Sequence, residues 1–200
     1  MILHKTFMKK SIILFLVIVS FSKVQAQQFS IEDIPLTWKD FTVKEGFRSH
    51  PYSAKIFTQT QPGKYKVKEH NIKFEVVLYV DNDKSWVKEE FIKKSNKEDK
   101  EKLLSHEKGH LIIALIKLRQ LESDLKKFPY SRNYKKEMDS IFKACYSQTH
   151  LMNETYDNET NHMLIADKQQ EWIKKLLQQL NELYAEDKKL PMKFEIEVEI

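Results

Sequence analysis

His106-Glu107-Lys108-Gly109-His110 sets two histidines four residues apart with a glutamate beside the first. On a helix, residues at that spacing lie one above the other, so both imidazoles converge on one point. This is the H-E-x-x-H arrangement, in which two metal ligands share a helical turn with a carboxylate that reaches a water. The flanks supply the helix. Asn96 to Leu104 is rich in helix formers, with Ser95 or Asn96 as N-cap. Leu111, Ala114, Leu115, Leu118, Leu121 and Leu125 then extend an apolar stripe at helical spacing until Pro129 ends it. Gly109 is one of three glycines in the chain. An interior helical glycine costs about 1 kcal/mol relative to alanine, so it asks for a reason, and close approach of another backbone is the expected one.

The residues before this helix read as strands. Ala54 to Gln59 and Lys64 to Val67 flank a Gln61-Pro62-Gly63 turn signal, and Ile72 to Val80 is an apolar, β-branched run closed by Asp81-Asn82-Asp83. They are expected to form an antiparallel sheet. Beyond Pro129 the chain reads as helical. One helix is expected from about Asn133 past Leu151, and another from about Ala166 to Tyr184 with Trp172, Leu176, Leu177, Leu180 and Leu183 on its apolar face. Lys168, Gln169, Lys175 and Gln179 form the polar face of the latter, and Asn153 to His162 reads as a polar segment between the two. Lys193 to Ile200 alternates apolar and acidic residues, the mark of a strand with one wet face. The fold class is α+β: an N-terminal antiparallel sheet, the motif helix, a helical C-terminal half and a final strand.

Residues 1–26 read as an export signal, with Lys5, Lys9 and Lys10 ahead of the apolar run Ile12 to Phe21 and small residues at Val24-Gln25-Ala26. The run is too short for a membrane span, and residues 27–200 form the single expected domain, without a stable membrane anchor. The formal charge of +5 is largely the leader's. Four of the 34 basic residues and none of the 29 acidic ones precede residue 27, leaving 30 against 29. That near balance removes the electrostatic case for a nucleic-acid partner. Cys145 is the only cysteine, so no intramolecular disulfide forms, and its apolar surroundings suit a structural thiol.

Catalytic zinc takes three protein ligands plus water. A third ligand close to the motif is excluded, because positions 113 and 116 are Ile113 and Ile116 where the longer H-E-x-x-H-x-x-G-x-x-H pattern has Gly and His. The distal candidates are His150, Glu154, Asp157, Glu159 and His162. Glu154 suits the class whose third ligand is a glutamate on the next helix, and His162 follows after a helix-and-turn return. Chemistry alone leaves these two level.

The paired motifs His106-Glu107-Lys108-Gly109-His110 and Tyr156-Asp157-Asn158-Glu159-Thr160-Asn161-His162 resemble those of a bacterial group of predicted secreted zinc-dependent proteases, H-E-x-G-H followed by Y-D-x-x-T-x-H. Leu36-Thr37-Trp38-Lys39-Asp40-Phe41 and Ser85-Trp86-Val87 are similar as well, so the resemblance spans about residues 36 to 163. It departs at Met163, where the family usually has glycine. The resemblance implies a zincin-like fold with zinc on His106, His110 and His162, and Glu107 as general base. Tyr156 and Asp157 would lie near the metal. Tyr156 is a candidate hydroxyl donor to the oxyanion. Asp157 is a candidate outer partner of a ligand histidine, and Asp157 and Glu154 are the alternative ligands. The expectation is an exported zinc metallopeptidase, periplasmic or extracellular, acting on a peptide or protein substrate. An exposed strand such as Ala54 to Gln59 would bind that substrate by β-addition. The competing expectation is a catalytically silent binding protein of the cell envelope, with a structural zinc or none.

Overall fold

The structure, a computed structural model, describes residues 28–46, 52–68, 70–187 and 189–199. The expected export signal lies outside these. The chain is mixed α+β with two three-stranded sheets. Two 3-10 turns, Ile31–Asp33 and Trp38–Asp40, lead into β1 (Thr42–Lys44), β2 (Ala54–Lys55), β3 (Thr58–Lys68), β4 (Asn71–Val80) and β5 (Trp86–Lys88). Then follow α1 (Glu89–Lys94), α2 (Lys97–Lys127), α3 (Tyr134–Thr160), α4 (Ala166–Leu183) and β6 (Lys193–Glu199). One sheet is ordered β1-β5-β2, with β1 parallel and β2 antiparallel to β5. The other is the antiparallel β3-β4-β6.

The motif helix is the axis of the fold. α2 has 31 residues, roughly 46 Å at the helical rise. Asn96 caps it, its side chain accepting from Asp99 N at 2.8 Å. Residues Leu111 to Ile116 are all buried, which is what a helix surrounded on every side requires. α3, α4, β2, β3, β4 and β6 all pack against it. β4 buries Ile72, Phe74, Val76 and Leu78 in strict alternation, and the tail strand joins it through Phe74↔Ile196 and Ile72↔Val198. No helix among the described residues is long and apolar enough to cross a membrane.

Three expectations fail here. The strand expected over Ala54 to Gln59 breaks at Ile56 and Phe57, which puts β2 and β3 in different sheets. The Gln61-Pro62-Gly63 signal is no turn: β3 continues through it, and its ladder with β4 merely shifts register between Pro62 and Tyr65. β3 is an edge strand, where a proline's missing N–H goes unnoticed and a bulge absorbs the irregularity. Gly63 suits that bulge, since a Cβ there would sit 3.1 Å from Glu75 Cβ. The polar segment Asn153 to His162 also does not lie between the two helices, because α3 runs on to Thr160. Its inward-facing residues follow helical spacing, and its polarity belongs to the site described next.

Near the middle of α2, the buried Tyr184 hydroxyl donates to the Leu115 carbonyl at 2.7 Å. Tyr184→Phe is expected to lower unfolding free energy by about 1 kcal/mol, read by urea denaturation. The carbonyl keeps its helical partner, so the loss stays small.

Candidate metal centre

α2 and α3 bring the two motifs face to face. His106 Nε2 and His110 Nε2 each lie 3.1 Å from Asp157 Oδ1, and His162 Nδ1 lies 3.3 Å from the same oxygen. Three imidazoles thus converge on one carboxylate oxygen. The donor atoms of His106, Asp157 and His162 lie within 4.8 Å of one another, a spacing that one cation would span. The far nitrogens of the helical pair face acceptors: His106 Nδ1 is 3.0 Å from Gln169 Oε1, and His110 Nδ1 is 2.7 Å from Asn153 Oδ1. The protonation follows from the partners. Each Nδ1 donates to its amide oxygen and each Nε2 donates to Asp157 Oδ1, so a cation taking an Nε2 would displace that second proton while Nδ1 keeps its own.

Burial grades across the cluster, from 3% side-chain exposure at His106 through 13% at His110 to 28–29% at Asp157 and His162. The centre therefore opens to solvent on the α3 side. Burial opposes the charged form of Asp157, but hydrogen bonds from His106 and His110 outweigh it and hold the carboxyl well below the usual carboxylate range. Burial also opposes an imidazolium at His110, and there the Asp157 hydrogen bond and the Glu107 charge win, raising its pKa. At His162 burial prevails, aided by the two neighbouring imidazoles, and the pKa falls.

Glu107 is buried, 3% exposed. Its Oε2 accepts the Ile56 backbone N–H at 2.8 Å. Ile56 joins β2 to β3, and its neighbour Phe57 donates its N–H to the buried Ser85 Oγ at 2.9 Å. Ser85 thus anchors the segment that orients the carboxylate. The other N-terminal resemblance segment has a packing role: Trp38 lies 5.3 Å from Phe41 and 6.2 Å from Phe91, ring to ring.

Tyr156 is fully buried rather than presented to the opening. Its ring stacks on His106 at 4.7 Å and 20°, and its hydroxyl donates to the His106 carbonyl at 3.2 Å. Burial pushes its pKa up. Its hydroxyl is turned to the main chain of His106, which places it behind the histidine. The reason for Gly109 changes accordingly: a Cβ there would run into the Tyr156 phenol, a side chain and not a backbone. Glu154 lies apart from the cluster, exposed and 3.4 Å from His150 on the outer side of α3. Asp157, read as an outer partner, stands on the inward side of all three rings, and the outer partners are Asn153 and Gln169.

Thr160, also fully buried, donates to the Tyr156 carbonyl at 2.7 Å and closes α3. The chain then turns through three left-handed residues, Asn161 (φ 45°), His162 (φ 51°) and Met163 (φ 77°). The turn is held by His162 N–H donating to Asp157 O at 3.0 Å and Ile165 N–H to Thr160 O at 2.9 Å. A glycine at 163 would adopt this φ freely, whereas a methionine there carries a backbone cost of about 1–2 kcal/mol. The missing glycine strains the turn without abolishing it. Tyr52 covers the exposed face of His162, centroids 3.8 Å apart.

Sequence reasoning missed Asn153 and Gln169. Asn153, Tyr156, Asp157 and Thr160 recur at i, i+3, i+4 and i+7, a helical face visible in the sequence. Gln169 carries no such signal, since its neighbours in space are 13 and 63 residues away in the chain.

A family model described as bacterial protein of unknown function (DUF922) matches residues 47–163. That is more than half of the chain, and the chain belongs to this family. No curated protein and no solved structure matches it.

Proposed function

We propose that this DUF922 protein is an exported, zincin-like metallopeptidase that hydrolyses peptide bonds, working in the periplasm or outside the cell. The observation that carries the reading is the convergence of three imidazole nitrogens on one point, with the back nitrogens of two of them occupied by Gln169 and Asn153. That donor set suits zinc. His106, His110 and His162 would hold the ion. When bound, zinc supplies Lewis acidity, which acidifies water and polarises a carbonyl. The chain's own residues do the rest. Ile56 N–H fixes one oxygen of Glu107, leaving the other to take the proton of the attacking water and pass it to the leaving amine. β2 is an edge strand among the described residues and runs directly into Ile56, so a substrate strand laid against it would bring its peptide bond beside Glu107. Tyr156 supports His106 from behind.

The purified protein is expected to carry about one zinc per chain, measured by elemental mass spectrometry. His162→Ala should lose that metal and Glu154→Ala should keep it. The reverse result would reassign the third ligand.

One observation favours a second reading, a catalytically silent protein with a structural zinc. Asp157 Oδ1 stands within 3.3 Å of all three histidines, and a fourth side-chain donor is what closes a structural site. Asp157→Ala separates the two. A catalytic site held by three histidines retains its zinc and its cleavage, whereas a closed four-ligand site loses most of its affinity.

A further inference from the structure

We propose that Gln169, on a helix beyond the family-matched residues, is a positioning residue that sets His106 for metal binding, an inference that rests on the zinc reading above. Its amide sits in a closed circuit of three hydrogen bonds. Tyr156 Oη donates to the His106 carbonyl at 3.2 Å, Gln169 Nε2 donates to Tyr156 Oη at 2.6 Å, and Gln169 Oε1 faces His106 Nδ1 at 3.0 Å.

The direction of every bond follows from the first. A main-chain carbonyl only accepts, so the phenol proton points at His106 O and the phenol oxygen is left to accept. It accepts from the Gln169 NH2, which turns the amide oxygen toward the imidazole. An oxygen facing Nδ1 requires the proton on Nδ1, so when a cation displaces the proton that Nε2 donates to Asp157, the neutral ring left behind offers its lone pair from Nε2. Nε2 is the nitrogen that points at Asp157. The His106 main chain therefore dictates, through a phenol and an amide, which nitrogen of its own side chain is free for a cation.

The surroundings hold the circuit in place. Gly109 leaves room for the phenol, and the Tyr156 ring lies flat on the imidazole. Trp172, one turn along α4 from Gln169, donates its Nε1 to Glu159 Oε2 at 2.7 Å and ties α4 to α3. Gln169 is half-buried, so the polar face of α4 is in part an inner wall of the metal centre.

Full-chain variants compared by zinc competition against a chromophoric chelator test this. Gln169→Leu is expected to bind zinc about 10–100-fold more weakly than wild type, the usual loss when a ligand histidine's outer partner is removed. Gln169→Glu keeps an oxygen acceptor for Nδ1–H and is expected to stay within about threefold of wild type. Gln170→Leu, exposed on the same turn, should leave affinity unchanged. In 15N-histidine spectra of the zinc-loaded protein, the His106 Nδ1–H should be protected from exchange in wild type and lose that protection in Gln169→Leu. Gln169→Met substitutes for the leucine variant should that one fail to fold. A folded Leu or Met variant that binds zinc as wild type does, with Nδ1–H still protected, overturns the proposal. Wild-type protein that binds no zinc overturns the zinc reading itself and this inference with it.

Discussion

Glu107→Gln is expected to reduce peptide cleavage by about 10²–10⁴-fold, the range that a positioned general base contributes, while zinc content stays at the wild-type level. The substitution is nearly isosteric, and the glutamine oxygen still accepts the Ile56 N–H that Glu107 Oε2 receives at 2.8 Å. Local packing around this buried position therefore persists. What disappears is basicity, since an amide oxygen cannot take a proton from water near neutral pH. Cleavage of a peptide library read by mass spectrometry, paired with elemental analysis of the same preparations, separates chemistry from metal loss. Cleavage at equal rates by both proteins would mean that the activity arises elsewhere. In the structural-zinc reading neither protein cleaves, and Glu107 is simply a buried acceptor for Ile56.

The parts of the fold that periodicity could disclose were legible in the sequence. The α4 apolar face and the alternating tail strand each bury one set of regularly spaced side chains and formed where their period said, while α2 formed on its stripe but is buried all round from Leu111 to Ile116. The misreadings share a different cause. Gln61-Pro62-Gly63 looks like a turn in isolation, and only its position on a sheet edge lets an extended strand pass through it. Asn153 to Thr160 reads as a polar segment outside the helices because its polar residues point at a polar site, where a helix is ordinarily expected to hide apolar ones. The same holds within the site. His106 and His110 announce themselves by local spacing, whereas Gln169 reaches His106 from 63 residues away and reads as one more solvated side chain. The paired motifs are short-range features, and a group such as Gln169 that meets them from another helix is not.

Gly109→Ala is expected to destabilise the metal-free protein by about 2–4 kcal/mol, opposite in sign to the gain of about 1 kcal/mol that the same change brings at an open helical position. An alanine Cβ would lie 2.7 Å from Tyr156 Cζ and 2.9 Å from Cε1, and in collision with the hydroxyl. A flexible side chain could swing aside cheaply, but Tyr156 is fully buried and held by hydrogen bonds to His106 O and from Gln169. Overpacking costs about 1–3 kcal/mol, and stranding buried hydrogen-bonding groups adds about 1–3 kcal/mol. Together these exceed the propensity gain. Because the displaced ring is the one stacked on His106, zinc affinity should fall in parallel. Tyr156→Phe would not relieve the clash, since the ring carbons are themselves too close. Tyr156→Leu should relieve it, so Gly109→Ala is expected to cost much less in a Tyr156→Leu background than in wild type. Urea denaturation of the four proteins of that cycle measures the coupling. If Gly109→Ala were as stable as wild type, the tight contact between α2 and α3 beside His106 would be refuted, along with the explanation of why a glycine stands between His106 and His110.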